Sequence, residues 1–178
     1  MFDETYVFQG KHANYVEDLV KEAQIFDRYL DVLLLAPIIG FLNNREADID
    51  TGERTSKVFA EQIIKESKKL KFIYEVITLL DEDNCKDVEE RINRAFRKRE
   101  GEGHEKSVQT FNRYIRGGVE FLYKKILDLD SVNKIEPELI NQEDCLNNYL
   151  SYIKSFKEDL ETDERDEDLE ELINNFRS

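Results

Sequence analysis

The chain has few of the residues that break helices or cross-link small folds. Its 178 residues include only 7 glycines, 2 prolines and 2 cysteines, and no tryptophan. So little glycine and proline excludes collagenous and low-complexity chains. Two cysteines, Cys85 and Cys145, cannot make a disulfide framework, and neither lies in a CxxC pair, which disfavours a metal site built on cysteine. Two free thiols are typical of a reducing compartment, and we therefore expect a cytoplasmic protein.

Long hydrophobic runs are also missing from the chain. The longest apolar stretch, residues 32–42, is about half as long as a membrane span needs to be, and it contains Pro37 and Gly40. Residues 1–20 carry acidic side chains near both ends and have no apolar central region, so we predict no signal peptide. The sequence thus predicts no membrane association.

Positive charge is in deficit, with 26 basic against 40 acidic residues and a net charge of -14. A chain of this charge is not expected to coat DNA by bulk electrostatics, because phosphate neutralisation needs a concentrated positive face. The acidic excess is concentrated at the end: residues 158–178 carry a net charge of -8 and residues 1–157 a net charge of -6. We therefore divide the chain into a helical bundle domain, residues 1–157, and an acidic C-terminal segment, residues 158–178.

Apolar residues recur with a helical period in almost every long segment. Helices are predicted at residues 14–35, 55–80, 88–99 and 106–129, then from Pro137, around residues 146–160 and around residues 169–176. Pro37 is expected to end the first of them. Residues 5–8 alternate with a period of two, but that stretch is too short to build a sheet alone. The sequence predicts an all-α fold, with about six helices in a single antiparallel bundle or orthogonal helical array.

Two adjacent glycines, Gly117 and Gly118, lie inside the predicted helix 106–129. Glycine in a helix interior costs about 1 kcal/mol relative to alanine. We interpret the pair as a point of close helix packing, with a kink beside a ligand as the alternative.

Motifs of catalysis and cofactor binding are missing from the sequence. Neither GxxxxGK[ST] nor GxGxxG occurs, and His12 and His104 lack the spacing of zinc ligands. The acidic run at residues 81–83 resembles a calcium loop, but Lys86 stands where glycine is needed and Ile92 where the last acid is needed. We therefore predict no catalytic, metal or cofactor site, and a protein that is not an enzyme.

Basic residues are concentrated on three of the predicted helices. If these helices are neighbours, their side chains merge into one face that contacts nucleic acid or an acidic partner. The simpler alternative is a solvated surface. The residues of this candidate face are Lys65, Lys68, Lys69, Arg91, Arg94, Arg97, Lys98, Arg99, Arg113 and Arg116.

The acidic C-terminal segment contains apolar residues with helical spacing, which a purely solvating tail does not need. They form a candidate protein interface that docks on the chain's own core or on another subunit. The alternative is a solvated segment with partial order. These residues are Leu169, Leu172, Ile173 and Phe176.

The leading hypothesis is a non-catalytic cytoplasmic interaction protein, which serves as an adaptor or accessory subunit of a protein assembly or associates with itself. One alternative is a nucleic-acid-associated accessory factor that uses the local basic face. A variant of it is an acidic phage- or host-encoded decoy of a DNA-binding partner. A helical enzyme is a third alternative.

Overall fold

A computed structural model of the protein describes residues 2–97, 100–127 and 140–163. Across these ranges six α-helices and two short strands form a single helical array, which confirms the predicted all-α fold. Two π-helical turns, Asp18–Glu22 and Asn93–Arg97, continue the helices α1 and α4. In chain order the elements are β1 Tyr6–Gln9, α1 Lys11–Glu17, α2 Tyr29–Leu42, β2 Thr55–Val58, α3 Ala60–Leu80, α4 Val88–Ile92, α5 Glu102–Ile126 and α6 Gln142–Asp163.

The core is built around α5, which packs along α2. One face of α5 carries an apolar stripe with helical spacing, and every residue of that stripe is at most 1% exposed: Phe111, Ile115, Val119, Leu122 and Ile126. Burial of such side chains contributes about 1.5–3 kcal/mol each, so this stripe is a major source of stability. The remaining helices and the sheet pack around the α2–α5 pair.

Gly117 and Gly118 lie where other parts of the backbone cross α5. A Cβ atom on Gly118 would lie 1.8 Å from the carbonyl oxygen of Ala36 on α2. A Cβ atom on Gly117 would lie 2.1 Å from the carbonyl oxygen of Arg45, in the loop after α2. Only a residue without a side chain fits at either position.

Pro37 does not end a helix, and that prediction is wrong. It lies inside α2, which runs from Tyr29 to Leu42. The proline removes one helical hydrogen bond, but α2 is apolar on nearly all sides and its burial against α5 outweighs that loss. The predicted helix at residues 14–35 is instead broken after the π-helical turn, where Gln24 has a positive φ of 52°.

The two strands form a small antiparallel sheet that the sequence did not predict. Tyr6 pairs with Val58 and Gln9 with Thr55, so the chain after α2 returns beside the first strand. Ser56 and Val58 point inward, and the Ser56 hydroxyl donates to the carbonyl of Ala13 on α1. As a result α3 begins at Ala60, five residues later than the periodicity indicates.

No helix among the described residues is long and apolar enough to span a membrane. The structure continues α6 to Asp163, into the predicted acidic segment. The helix predicted from Pro137 begins outside the described residues.

Candidate functional site

Arg91, which was predicted to lie on the basic face, is not a solvent-exposed cation. Arg91 is 5% exposed, and its guanidinium donates to the carbonyl of Cys85 and to Glu82, both at 2.9 Å. These bonds close the turn that joins α3 to α4. Arg91 is therefore a structural residue of that turn.

Three other residues of the predicted basic face also bond to acceptors within the protein. Arg94 donates to Glu90 at 3.0 Å, one turn before it. Arg113 on α5 pairs with Glu46 at 2.8 Å, and Arg116 donates to the carbonyl of Ala47 at 2.9 Å. These last two bonds fasten the loop that follows α2 across α5. Arg113 and Arg116 thus stabilise the crossing of this loop over α5.

The lysines of α3 point outward. Lys65 and Lys68 have no carboxylate within ion-pair distance among the described residues, whereas Lys69 pairs with Glu66 at 2.8 Å. Arg97 is exposed and bonds to Asn93. Lys98 and Arg99 lie outside the described residues, as do Leu169, Leu172, Ile173 and Phe176.

A polar cleft of about 330 Å³ lies between the end of α3, the α4 segment and α5. Arg94 and Arg113 from the predicted face line it together with Lys106. Each of these cations already pairs with a carboxylate that is not part of the lining. The other lining residues are Ile77, Thr78, Asp81, Asn84, Cys85, Ser107, Gln109, Thr110 and Phe111.

The base of the cleft is a buried hydrogen-bond network around Asp81, which is 6% exposed and directly follows α3. The Tyr114 hydroxyl donates to Asp81 at 3.2 Å, and the backbone N–H of Asn84 donates at 3.1 Å. Burial, and then the negative charge of Asp81, raise the pKa of Tyr114. The network joins the end of α3 to the middle of α5, which is a structural role.

Replacing Tyr114 by phenylalanine is expected to lower the free energy of unfolding by about 1.5 kcal/mol, because a buried carboxylate then loses a donor. Tyr149→Phe is the matched control. That tyrosine is half-buried, and its hydroxyl makes no hydrogen bond within the described part of the chain, so stability should change little. Urea denaturation of the three proteins measures the difference. Equal stabilities for the two variants would contradict the role of the network.

A second polar cluster joins α1 to α5. Nε2 of His12 and Nζ of Lys11 each lie 2.9 Å from the same oxygen of Glu120. His12 is 1% exposed. The hydrogen bonds from His12 and Lys11, together with their charges, hold the pKa of Glu120 at about 2. No sequence pattern points to this cluster, because His12 and Glu120 are 108 residues apart.

The outward surface of α3 and α4 is unusually apolar. α4 and the turn after it pack beside α3. Five large apolar side chains on these elements are more than half exposed: Ile64 54%, Phe72 64%, Leu80 54%, Val88 56% and Phe96 51%. We call these five residues, with Lys65, Lys68 and Lys69, the α3–α4 surface.

Helix α6 has two apolar sides. One side packs against α5 and carries the buried Cys145 and the half-buried Tyr149 and Tyr152. The other side faces solvent and carries Leu146 and Ile153. Helical periodicity alone did not separate the two sides.

No protein-family model, curated protein or solved structure matches this chain. Among the described residues, no group of three or more histidine, cysteine, aspartate or glutamate side chains is placed to hold a metal ion.

Proposed function

We propose that this chain is a helical interaction protein, an adaptor or accessory subunit, that binds a protein partner through the α3–α4 surface. The observation that carries the proposal is the exposure of five large apolar side chains on two adjacent helices. Isolated exposed apolar residues are common, whereas a contiguous apolar patch marks an interaction site, and we take the exposed side chains around Phe72 to form such a patch with α4. Phenylalanines such as Phe72 and Phe96 are enriched in the centres of protein interfaces.

The charges of the α3–α4 surface define the chemistry of the partner. Lys65, Lys68 and Phe72 follow one another at helical spacing of three and four residues, so they point to the same side of α3. A partner segment that covers Phe72 would therefore place its neighbouring side chains beside two lysines. The complementary partner is an amphipathic segment with an apolar centre and carboxylates at one edge.

A protein partner accounts for this surface better than nucleic acid does. Phosphate binding needs several available cations close together. Arg91, Arg94 and Arg113 are engaged with acceptors of the protein itself. The α3–α4 surface also exposes more large apolar groups than lysines.

The test is the recovery of partners on tagged protein expressed in the cells that encode it. Phe72→Glu should abolish recovery of a specific partner. Ile49→Glu is the matched control, because Ile49 is also 64% exposed but lies in the loop before β2. Lys65→Glu combined with Lys68→Glu should weaken recovery and remove much of its dependence on salt.

Three results would contradict the proposal. The first is that every recovered protein is retained equally by Phe72→Glu and Ile49→Glu. The second is that no protein is recovered. The third is that recovery disappears after nuclease treatment, which would favour the nucleic-acid alternative.

A further inference from the structure

The acidic C-terminal segment has the features that the α3–α4 surface selects in a partner. Six of the eight residues 164–171 are acidic. The apolar residues among and after them recur with helical spacing: Leu169, Leu172, Ile173 and Phe176. The segment is thus amphipathic, with carboxylates that precede and flank its apolar side. It lies outside the described ranges, so its place is inferred from the surface that fits it.

The exposed side of α3 carries the complementary groups. Residues 65–71 include four lysines and one glutamate. Lys65 and Lys68 are exposed, and neither forms an ion pair within the described part of the chain. Phe72, one turn further along the same side, is 64% exposed. A helix with carboxylates before its apolar residues would cover Phe72 and place those carboxylates beside the two lysines.

Helix α6 carries the chain towards the end of the molecule where α4 lies. The side-chain amide of Asn148 donates to the carbonyl of Ile126 at 3.0 Å. Further along, Tyr152 packs edge-on against Phe121, with ring centroids 5.6 Å apart. α6 therefore runs antiparallel to α5, towards the first turns of α5. Those turns lie beside α4, because a Cβ atom on Gly103 would meet a carboxylate oxygen of α4 at 3.1 Å.

The remaining chain is long enough to reach the α3–α4 surface. Helix α6 is described to Asp163, and residues 164–178 follow it. Residues 164–168, which precede Leu169, can span about 17 Å when extended, nearly the width of two packed helices. A segment joined to its site by so short a connection has an effective concentration on the order of millimolar. The chain's own segment is therefore favoured over that of a second copy in dilute solution.

We propose that residues 164–178 fold back onto the α3–α4 surface of the same molecule, where their apolar side covers Phe72 and their carboxylates face Lys65 and Lys68. This inference rests on the proposed function, because it names a segment that occupies the same interaction surface. A partner must displace the segment before it binds. The apparent affinity for a partner is then lowered in proportion to the fraction of molecules whose surface is free. The segment is therefore an autoinhibitory element.

Paramagnetic relaxation in purified protein tests the contact without any partner. A nitroxide is attached at Asn174→Cys in a Cys85→Ser background, since Cys145 is 3% exposed and protected from the label. The amide NMR signals of Lys68 and Phe72 should be lost, and chemical reduction of the nitroxide should restore them. Retention of both signals would overturn the inference.

A mixture of two samples separates docking within one molecule from docking between copies. Protein that carries the nitroxide but no isotope label is mixed with isotope-labelled protein that lacks the nitroxide. The signals of Lys68 and Phe72 should then be retained. A loss in the mixture comparable to that in the doubly labelled protein would assign the segment to a second copy and overturn the proposal.

Substitutions on α3 test which groups hold the segment. Phe72→Glu should restore the signal of Lys68, whereas Ile49→Glu should not, because Ile49 is equally exposed but lies in the loop before β2. Lys65→Glu should restore the signal in part. Lys57→Glu is its matched control, since Lys57 is an exposed lysine of β2. An equal loss of the Lys68 signal in all four variants would overturn the proposed contact.

Partner recovery on tagged protein tests the inhibitory role. Leu172→Glu combined with Ile173→Glu should increase recovery several-fold, because the α3–α4 surface is then free. Asn174→Glu combined with Asn175→Glu adds the same charge to the polar side of the segment and should leave recovery unchanged. Equal recovery on wild type and the Leu172, Ile173 variant would overturn the inhibitory role. Failure to recover any partner would contradict the proposed function, and the nitroxide experiment would then decide the inference by itself.

Discussion

Gly118→Ala is expected to lower the free energy of unfolding by about 3 kcal/mol, through overpacking of the crossing between α2 and α5. The new Cβ atom would lie 1.8 Å from the carbonyl oxygen of Ala36, and real Cβ atoms essentially never approach another atom closer than 3.0 Å. The obstacle is backbone, so a side-chain rotation cannot relieve it. Alanine gains about 1 kcal/mol in helix propensity, but separating the two helices costs more than this gain.

Gly103→Ala is the control for the gain in helix propensity, because Gly103 also lies in α5. A Cβ atom on Gly103 would meet a carboxylate oxygen of Glu90 at 3.1 Å, and that side chain can move. Thermal and urea unfolding should therefore show Gly103→Ala near wild type and Gly118→Ala strongly destabilised. A Gly118→Ala protein as stable as wild type would show that α2 and α5 do not cross as closely as described.

Glu120→Gln is expected to lower the free energy of unfolding by about 2–3 kcal/mol at neutral pH. Glu120 is 23% exposed, and its pKa is about 2 against an ordinary value of 4.5. A carboxyl whose pKa is lowered by folding stabilises the native state above its unfolded pKa. That contribution is lost as the pH falls from about 4.5 towards 2. The difference between wild type and Glu120→Gln should therefore be largest above pH 5 and be mostly lost near pH 2.

Glu102→Gln is the control for this pH dependence. Glu102 pairs with Lys106 at 2.6 Å, but its side chain is 81% exposed, so solvent screens the pair and stability should change little. Urea denaturation at pH values from about 2.5 to about 7, roughly half a unit apart, compares the free energies of unfolding of the three proteins. A difference between wild type and Glu120→Gln that does not vary with pH would contradict the assigned pKa.

Local patterns in the sequence were enough to predict most of the helices. Apolar periodicity located α3, α4, α5 and α6 to within several residues at most ends, because each buries a face against the core. It could not predict that α2 continues through Pro37, since that depends on how much of α2 is buried by other elements. It also missed the sheet, because a four-residue strand such as β2 becomes recognisable only beside its partner.

The surfaces were harder to predict than the helices. Charge clusters are visible in a sequence, but the acceptors that engage them are not: Arg113 pairs with Glu46 of the distant loop that follows α2, and Arg91 is buried in a turn. The two sides of α6 are distinguished only once α5 covers one of them. Whether the α3–α4 surface binds the partner proposed for it stays a prediction for experiment.

Hydrogen bonds between residues far apart in the sequence also affect how the chain folds during synthesis. His12 and Glu120 are 108 residues apart, and Asn43 bonds to Tyr152 across 109 residues. Helical proteins usually fold fast because most of their contacts are local. Here α2 packs mainly against α5, so it gains most of its burial only once α5 has left the ribosome. We therefore expect slower folding than in a bundle of sequential helix pairs, and a nascent chain that depends on chaperones until about two-thirds of it has emerged.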